Sequence, residues 1–551
     1  MTRDQHEELA TVIPWPTSYT QRPGSLRLSG EVVVAGAPEL RDLVTGELGE
    51  LGIRWLPASA TDEASGSDAT GEASGSGATG TPVVGLAVDS ALPAEGYVLT
   101  VDTDGVTMRG GSPAGVFYAV QTLRQLLPPE ALRRGAPHAR GWELAYCHVE
   151  DAPAHGWRGC LLDVARHFMP KDFLLRLIDL LALHKYNVLQ LHLTDNDGWR
   201  FESKKYPRLT QVGGWRAETR WFWEKAGDGR PHGGFYSQDD LREIVAYAGR
   251  KFITVVPEIE MPAHTFAAIA AYPHLGNDTG LAQQTSIPFT DGDVLNVEDT
   301  TVEFFQDVLA EVLDVFPSTF IHIGGDECPK GPWQASARAQ EKMRALGLAD
   351  EDALQSWFIT QMDSWLTRNG RRLVGWDEIL EGGLAPGATV MSWRGESGGV
   401  TAAKAGHDVV MAPTAPTYFD YYQSDSATEP LAIGGHNPLE DVYAYEPVPP
   451  DLAGTAEAER VLGAQFQVWT EFLPTSQAVE YMAFPRACAF AEAVWRTGKD
   501  RSYGDFMGRL NEHLRRLDAL GVNYRPPSGP HPWQAGGTGR FDRTAHPQMV
   551  P

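Results

Sequence analysis

Eight short apolar runs, separated by longer amphipathic segments, constrain this chain more than any other feature. They occupy residues 159–164, 187–193, 253–259, 319–323, 372–376, 389–393, 408–412 and 461–469. Runs of this length are typical of buried parallel strands, and several of the intervening segments have helical periodicity. Eight strand-like runs in such an order predict an α/β fold of the (β/α)8 TIM barrel type, with a doubly wound open sheet as the alternative.

Two capping patterns predict where helices begin between these runs. Ser237-x-x-Asp240 and Thr300-x-x-Glu303 each place a hydroxyl three residues before an acid, as in a capping box. The second pattern is followed by apolar residues that share one helical face, namely Phe304, Phe305, Val308, Leu309, Val312, Leu313 and Phe316. We therefore expect a helix to begin at each of the two patterns.

The segments before and after the eight apolar runs have different residue patterns. The part before the first apolar run contains strand-like runs and one helical pattern, at 26–35, 81–88, 96–108 and 116–127. These patterns predict a small α+β domain over residues 1–145, ahead of a barrel over 150–500. A C-terminal segment, 501–551, combines a predicted helix at 503–520 with a Pro- and Gly-rich tail that we expect to be extended or partly disordered.

An insert interrupts the N-terminal domain. Residues 58–82 are rich in Ala, Ser, Gly and Thr and contain the tandem EASGSDATG and EASGSGATG. This composition is typical of a flexible loop, and such insertions cost little closure entropy. We assign the insert no function.

The charge balance excludes several classes of partner. There are 46 Lys and Arg against 72 Asp and Glu, and the net charge of −26 repels nucleic acid and anionic lipid. The N-terminus lacks the apolar run of a signal peptide, and no segment is long and apolar enough to cross a membrane. We therefore expect a cytoplasmic protein, with secretion by another route left open, and make no prediction of its oligomeric state.

The cysteines are too few for a disulfide scaffold. They are Cys147, Cys160, Cys328 and Cys488, and none has the C-x-x-C spacing of a zinc or redox site. We interpret them as packing residues.

The pair Asp326 and Glu327 follows an apolar run and two glycines. Two adjacent carboxylates repel each other, which raises the pKa of at least one and can keep a carboxylic acid protonated near neutral pH. An acidic helix N-terminus is the alternative interpretation. The pair is thus a candidate for acid–base chemistry.

Tryptophans, acids and basic groups recur beside the other runs. They are Arg158, His192, Asp195, Glu258, Glu260, His264, Trp376, Asp377, Glu378, Trp393, Arg394, Tyr418, Asp420, Trp469 and Glu471. Chemistry in a barrel collects at the carboxyl ends of the strands, so this distribution favours the barrel over the open sheet. Indole faces pack on sugar rings while carboxylates and arginines bind hydroxyls, so we expect a carbohydrate site.

Six segments resemble the family 20 glycoside hydrolases, the β-N-acetylhexosaminidases, in order along the chain. They are HLTDNDGWR (192–200), EIEMPAHT (258–265), HIGGDE (322–327), GWDEIL (375–380), SWRG (392–395) and QVWTE (467–471). The resemblance extends over about residues 95–500, and 93–127 is similar to the small α/β domain that precedes the barrel in that family.

This resemblance implies an exo-acting, retaining enzyme that hydrolyses terminal β-linked GlcNAc or GalNAc from an oligosaccharide or glycoconjugate. The acetamido oxygen of the substrate attacks the anomeric carbon and forms an oxazolinium intermediate. By motif position, Asp326 would orient the acetamido N–H and stabilise the developing charge, and Glu327 would be the general acid and then the base. No cofactor and no metal are implied.

The same resemblance assigns supporting roles. Asp195 and His264 would form a polar relay behind Glu327, and Tyr418 would donate a hydrogen bond to the acetamido oxygen. The remaining substrate-binding candidates are the walls of the acetamido pocket, Trp376, Trp393 and Trp469, the hydroxyl-binding Arg158 and Glu471, and Asp420. Three positions depart from the commonest family pattern, namely Asn196, Glu260 and Ala263.

Three other interpretations stay open. Loops 211–234 and 421–450 decide between release of a monosaccharide and release of a disaccharide, and residues 221–223 (WFW) are equally typical of an aglycone subsite and of a loop core. A metal-dependent barrel hydrolase could use His192, Asp195, His264, His322 and Asp326. A non-catalytic carbohydrate-binding protein would keep the tryptophans without needing the acids.

Overall fold

The computed structural model describes residues 11–58, 82–133, 141–220, 227–277, 284–288, 293–425, 427–498 and 501–535. The tandem repeat, the WFW segment and the end of the C-terminal tail lie outside these ranges, so the predictions made for them have no structural counterpart here.

The N-terminal domain is a seven-stranded mixed sheet in the order β1-β7-β5-β6-β4-β2-β3. Its strands are β1 (Ser18–Leu28), β2 (Glu31–Ala35), β3 (Arg54–Pro57), β4 (Val83–Val88), β5 (Tyr97–Asp102), β6 (Gly105–Gly110) and β7 (Trp142–Asp151). The predicted run 26–35 is divided between two strands, because Gly30 turns the chain with a φ of 66°. The sheet also continues to Asp151, beyond the boundary that we placed at 145.

The second sheet is a closed parallel barrel of eight strands. In chain order they are β8 (Trp157–Asp163), β9 (Val188–His192), β14 (Thr254–Glu258), β15 (Phe320–His322), β16 (Arg372–Trp376), β17 (Thr389–Ser392), β18 (Val409–Met411) and β19 (Val461–Val468). Each corresponds to one of the eight apolar runs. The barrel prediction is confirmed, and the open sheet is wrong because β8 closes the ring by pairing with β19.

Two small hairpins lie between β9 and β14. They consist of β10 (Thr194–Asp195) with β11 (Gly198–Trp199), and β12 (Trp215–Arg216) with β13 (His232–Gly233). Both belong to the connection that leaves the carboxyl end of β9, which is the end where a barrel holds its chemistry.

Helices cover the N-terminal sheet and surround the barrel. They are α1 (Pro38–Leu48), α2 (Pro113–Leu126), α3 (Lys171–Leu183), α4 (Arg208–Gln211), α5 (Gln238–Gly249), α6 (Phe266–Ala271), α7 (Asp299–Val315), α8 (Gly331–Ala335), α9 (Ala337–Leu346), α10 (Glu351–Arg368), α11 (Ser397–Lys404), α12 (Leu439–Ala444), α13 (Ser476–Ala483), α14 (Arg486–Trp495), α15 (Tyr503–Ala519) and α16 (Pro532–Ala535). Short 3-10 turns occur at Gly49–Leu51, Pro129–Leu132, Pro273–Leu275, Asp377–Leu380 and Ala456–Arg460, and a kinked turn at Thr414–Thr417. Within the described ranges, no helix is both long enough and apolar enough to cross a bilayer.

Both predicted helices are present, and one of the two capping boxes is formed. At α5 the Ser237 hydroxyl accepts from the Asp240 backbone while the Asp240 carboxylate accepts from the Ser237 backbone, which is a complete capping box. The helix predicted at Thr300 is also present as α7, which begins one residue earlier, at Asp299, without the predicted capping box. Its N-cap residue is Glu298, which makes no side-chain cap hydrogen bond.

The C-terminal helix α15 joins the two domains. Arg509 donates to both oxygens of Glu492 on α14 at 2.7 and 2.8 Å, and to the carbonyl of Val12 at 2.9 Å. These bonds hold the helix against the barrel layer and the N-terminal segment, in agreement with the helix predicted at 503–520.

Candidate functional site

The carboxyl ends of neighbouring barrel strands place four polar residues at one level. Asp163 pairs with His192, His192 with Glu258, and Glu258 with His322 in the strand register. All four are buried. The floor of the site is therefore a row of acids and imidazoles inside the top of the barrel.

Glu258 is the centre of this floor. Its carboxylate accepts from Gln190 Nε2 at 2.9 Å and Trp376 Nε1 at 3.0 Å, and lies 2.7 Å from His192 Nδ1. Burial disfavours the charged form, but the neighbouring imidazoles outweigh it and hold the pKa of Glu258 well below its usual range. Glu258 thus remains ionised and orients the Trp376 indole.

Asp326 and Glu327 stand beyond β15 on a tight loop. Gly324 and Gly325 have φ values of 69° and 94°, and a Cβ at Gly324 would lie 1.7 Å from Glu260 Oε2. Only glycine permits this approach of the loop to the buried Glu260. The close approach brings the two acids over the barrel mouth.

A chain of alternating acids and imidazoles leads from the floor to Glu327. His192 Nε2 lies 2.8 Å from Asp195 Oδ2, and His264 Nδ1 lies 3.4 Å from Asp195 Oδ1. His264 Nε2 then lies 3.3 Å from Glu327 Oε2 and 3.5 Å from Asp326 Oδ2. The predicted relay residues Asp195 and His264 are therefore placed directly behind the acidic pair.

The two acids of the pair differ in their pKa values. Burial raises the pKa of Asp326, whereas the hydrogen bond from His264 lowers that of Glu327. The pKa of His264 itself is well above its usual range, because the Asp195 and Asp326 carboxylates outweigh its burial. The expected raised pKa thus falls on Asp326, and the proton near Glu327 resides on His264.

The predicted aromatic residues form one wall. The ring centroids of Trp376 and Trp469 are 5.8 Å apart, and those of Tyr418 and Trp469 are 6.2 Å apart. Trp393 is stacked on Tyr418 at 6.2 Å and donates its indole N–H to Glu378 Oε2 at 2.8 Å. Burial raises the pKa of Glu378 to about 7. Glu378 fixes the Trp393 indole in place, a role that the sequence did not predict.

Charged groups lie beside this aromatic wall. Arg166 Nη2 lies 2.9 Å from Asp195 Oδ2, and its Nη1 lies 3.5 Å from Glu471 Oε1. Burial raises the pKa of Asp420 well above its usual range, with the Glu471 charge adding to it, and Asp420 Oδ1 has no hydrogen-bond partner among the described residues. These groups can bind the hydroxyls of a sugar.

Comparison with known proteins matches this architecture. The model of glycosyl hydrolase family 20, catalytic domain, matches residues 155–498, and that of family 20, domain 2, matches residues 10–152. The chain belongs to glycosyl hydrolase family 20. Both domains described above are thus parts of one family 20 architecture.

Individual relatives of this family 20 chain are hexosaminidases. The beta-hexosaminidase of Porphyromonas gingivalis is 43% identical over 98% of this chain and 66% of its own length. That of Vibrio furnissii is 36% identical over 74% of this chain and 66% of its own length. The chain thus spans 66% of the length of each of these two relatives.

Solved family 20 structures have the same fold. The exo beta-N-acetylglucosaminidase of Vibrio harveyi superposes with a TM-score of 0.79 and 31% identity, over 94% of this chain and 78% of that one. The beta-N-acetylhexosaminidase of Streptomyces coelicolor superposes with a TM-score of 0.78 and 29% identity, over 95% of this chain and 98% of that one.

The prediction that Arg158 binds sugar hydroxyls is wrong for this family 20 chain. Arg158 is the second residue of β8 and lies at the amino end of the strand, whereas Asp163 marks the carboxyl end. Its guanidinium is fully buried and donates to Glu95 Oε1 at 2.8 Å and to the carbonyl of His155 at 2.7 Å. Arg158 therefore joins the two domains, at the opposite end of the barrel from the site.

Arg166 is the arginine that sequence reasoning missed. It lies three residues beyond β8, at the carboxyl end of that strand, where a barrel places its chemistry. Its guanidinium also stacks on Trp469, 5.2 Å from the ring centroid. The signal was present in the segment 163–168 (DVARHF), at the carboxyl end of the first apolar run.

Proposed function

We propose that this family 20 chain hydrolyses terminal, non-reducing β-linked N-acetylhexosamines, GlcNAc or GalNAc, from oligosaccharides or glycoconjugates. The names of its hexosaminidase relatives support this activity. The aromatic wall and the neighbouring Arg166, Asp420 and Glu471 support a pocket for one sugar, with the indoles against its apolar atoms and the charged groups on its hydroxyls.

The adjacency of Asp326 and Glu327 carries the mechanistic part of the proposal. An enzyme with its own carboxylate nucleophile needs two carboxyl groups about 5–5.5 Å apart on either side of the scissile bond. Two consecutive residues on one loop do not flank a sugar in this way. The nucleophile is then the acetamido oxygen of the substrate, which reaches its own anomeric carbon.

Asp326 positions that acetamido group. Its Oδ1 is buried and has no hydrogen-bond partner among the described residues, so it is available to accept the acetamido N–H. The aromatic wall excludes water from the pocket, and the Asp326 charge then stabilises the positive charge that develops on the oxazolinium. Tyr418, stacked on Trp393 and tilted against Trp469, donates its hydroxyl to the acetamido oxygen.

Glu327 transfers the proton. The pair formed with His264 holds one proton, and burial of Glu327 beneath a bound glycoside moves that proton toward the carboxylate. Glu327 then protonates the leaving oxygen, the aglycone departs, and the same carboxylate deprotonates the water that opens the oxazolinium. The product retains its anomeric configuration.

Paired substrates test this function. We expect strong hydrolysis of an aryl β-N-acetylglucosaminide, with a retained anomer by NMR, and none of the matching aryl β-glucoside, both in the presence of a chelator. Comparable rates on the two glycosides would contradict the requirement for the acetamido group. Loss of activity on adding the chelator would favour the metal-dependent hydrolase, and inactivity on both, with binding retained, would favour a binding protein.

A further inference from the structure

A second histidine cluster lies in the helical layer, away from the carboxyl strand ends. His184 follows α3, Cys488 lies in α14 and His513 lies in α15. All three side chains are almost completely buried. His184 Nε2 lies 2.9 Å from His513 Nε2 and 3.3 Å from Cys488 Sγ, and one donor atom from each residue lies within 4.8 Å of the others.

No placement of the protons gives every donor and acceptor of this cluster a hydrogen-bond partner. His184 Nδ1 lies 2.7 Å from the carbonyl of Leu180, so Nδ1 carries the proton and Nε2 has a single lone pair. The Cys488 thiol and His513 Nε2 compete for that lone pair, and His513 Nδ1 has no hydrogen-bond partner among the described residues. If the His513 proton is on Nδ1 instead, the lone pairs of the two Nε2 atoms face each other. The Nδ1–H donor is then buried without an acceptor.

The donor set favours a soft monovalent cation. Thiolate and imidazole suit Cu(I), whereas a structural Zn²⁺ site takes four ligands. Within the described part of the chain, no fourth His, Cys, Asp or Glu joins the three donors. Arg509 and Arg516 act on His513 electrostatically, so a neutral complex of Cu(I) with one thiolate is less costly to bury here than a positive zinc complex.

We propose that His184 Nε2, His513 Nε2 and Cys488 Sγ form a trigonal binding site for one Cu(I) ion. On binding, the Cys488 S–H bond breaks, a Cu–S bond forms, the proton leaves to solvent and no electron is transferred. Donor atoms about 2.0–2.3 Å from a metal are about 3.5–3.8 Å apart in a trigonal plane. The imidazole nitrogens, now 2.9 Å apart, therefore separate by roughly 0.6 Å. Once bound, the cation links the end of α3 to α14 and α15, which stabilises the folded chain.

Competition with a chromophoric Cu(I) chelator under anaerobic conditions tests the site on the full chain. We expect the wild type to retain one Cu(I) per chain and Cys488→Ala to bind at least about 100-fold more weakly, since even outer partners of metal ligands are worth about 10- to 100-fold. Cys160→Ala is the matched control, because Cys160 is equally buried but lies in β8. We expect it to bind as the wild type does.

Two results would overturn the proposal. One is a wild type that yields all its Cu(I) to the chelator, which leaves only a hydrogen-bonded cluster. The other is unchanged binding by Cys488→Ala, which places the metal elsewhere. If that variant does not fold, X-ray absorption of the loaded wild type decides: one sulfur and two imidazole ligands support the site, and any other ligand set contradicts it.

Discussion

The two buried histidine clusters of this protein have opposite charge states. At the strand ends, burial opposes the imidazolium, but Glu258 and Asp195 outweigh it and raise the pKa of His192 to about 10. In the helical layer, burial lowers the pKa of His184 to about 4, opposed only by its hydrogen bond to Leu180. Neighbouring charges, rather than burial itself, decide whether a buried imidazole is protonated.

The difference separates two kinds of chemistry. An imidazolium among carboxylates, such as His264, holds a proton next to Glu327, where glycosidic cleavage needs one. A neutral imidazole beside a thiol, such as His184, instead presents a lone pair that can bind a cation. Replacing residues in each cluster should therefore change different observables.

The largest expected effect comes from removing the acid at the end of the charged cluster. Glu327→Gln should lower kcat by about 10²- to 10⁴-fold on substrates with poor leaving groups, because the proton donor is lost, and much less on activated aryl glycosides. Asp326→Asn should lower kcat on both classes alike, since it positions the internal nucleophile. Steady-state kinetics on the two substrate classes measures the split, and equal losses in Glu327→Gln would contradict its assigned role.

The neutral cluster should respond to acid through stability. The unfolded chain binds protons at His184 below about pH 6.5 and the folded chain only near pH 4, so its contribution is complete above pH 6.5 and is lost as the pH falls toward 4. This loss is about 2–3 kcal/mol. Urea unfolding should show a smaller acid loss for His184→Gln than for the wild type. The exposed His531→Gln is the control and should follow the wild type.

The two arginines of β8 and its following loop should separate binding from stability. Arg166→Lys should lower kcat/KM by about 10- to 100-fold, the cost of one lost charge-assisted hydrogen bond. Arg158→Lys should lower the thermal midpoint and leave KM unchanged, because Arg158 contacts Glu95 at the domain interface. A rise in KM for Arg158→Lys would instead support the predicted role of Arg158 in binding sugar hydroxyls.

The smallest expected effect concerns the proton shared by His264 and Glu327. In the wild type the alkaline limb of the pH profile follows loss of this proton, and the raised pKa of His264 places that limb high. His264→Asn leaves the proton on Glu327 alone, so the alkaline limb should move to lower pH, with roughly a tenfold loss of kcat at the optimum. An unmoved limb in kcat/KM against pH would show that His264 does not share the proton.

The strands were predictable because central parallel strands are buried on both faces and read as apolar runs. Trp376, Trp469 and Asp326 were found for the same reason, since parallel strands bring their carboxyl ends to one rim. Arg158 was misplaced because it lies at the amino end of β8, whereas Arg166 follows the carboxyl end, where the chemistry of a barrel collects. Thr300 is not a cap because α7 begins one residue earlier, with Glu298 as its N-cap residue.

The cluster in the helical layer had no such signal. His184 and Cys488 are 304 residues apart in sequence, and His184 and His513 are 329 apart. None has motif spacing, and the cysteine was interpreted as a packing residue. Its neighbours are known only once three helices have packed together.

The sequence by itself determined the barrel, the family and most of the residues that stand at the carboxyl rim, because strand burial and strand order are local patterns. Only the tertiary structure decided which buried histidines carry a proton. The charge of an imidazole depends on groups within a few ångströms. For His264 these are Asp195 and Asp326 from other segments. Among the described residues, His184 has no such charges beside it and is buried against Cys488 and His513, which are distant along the chain.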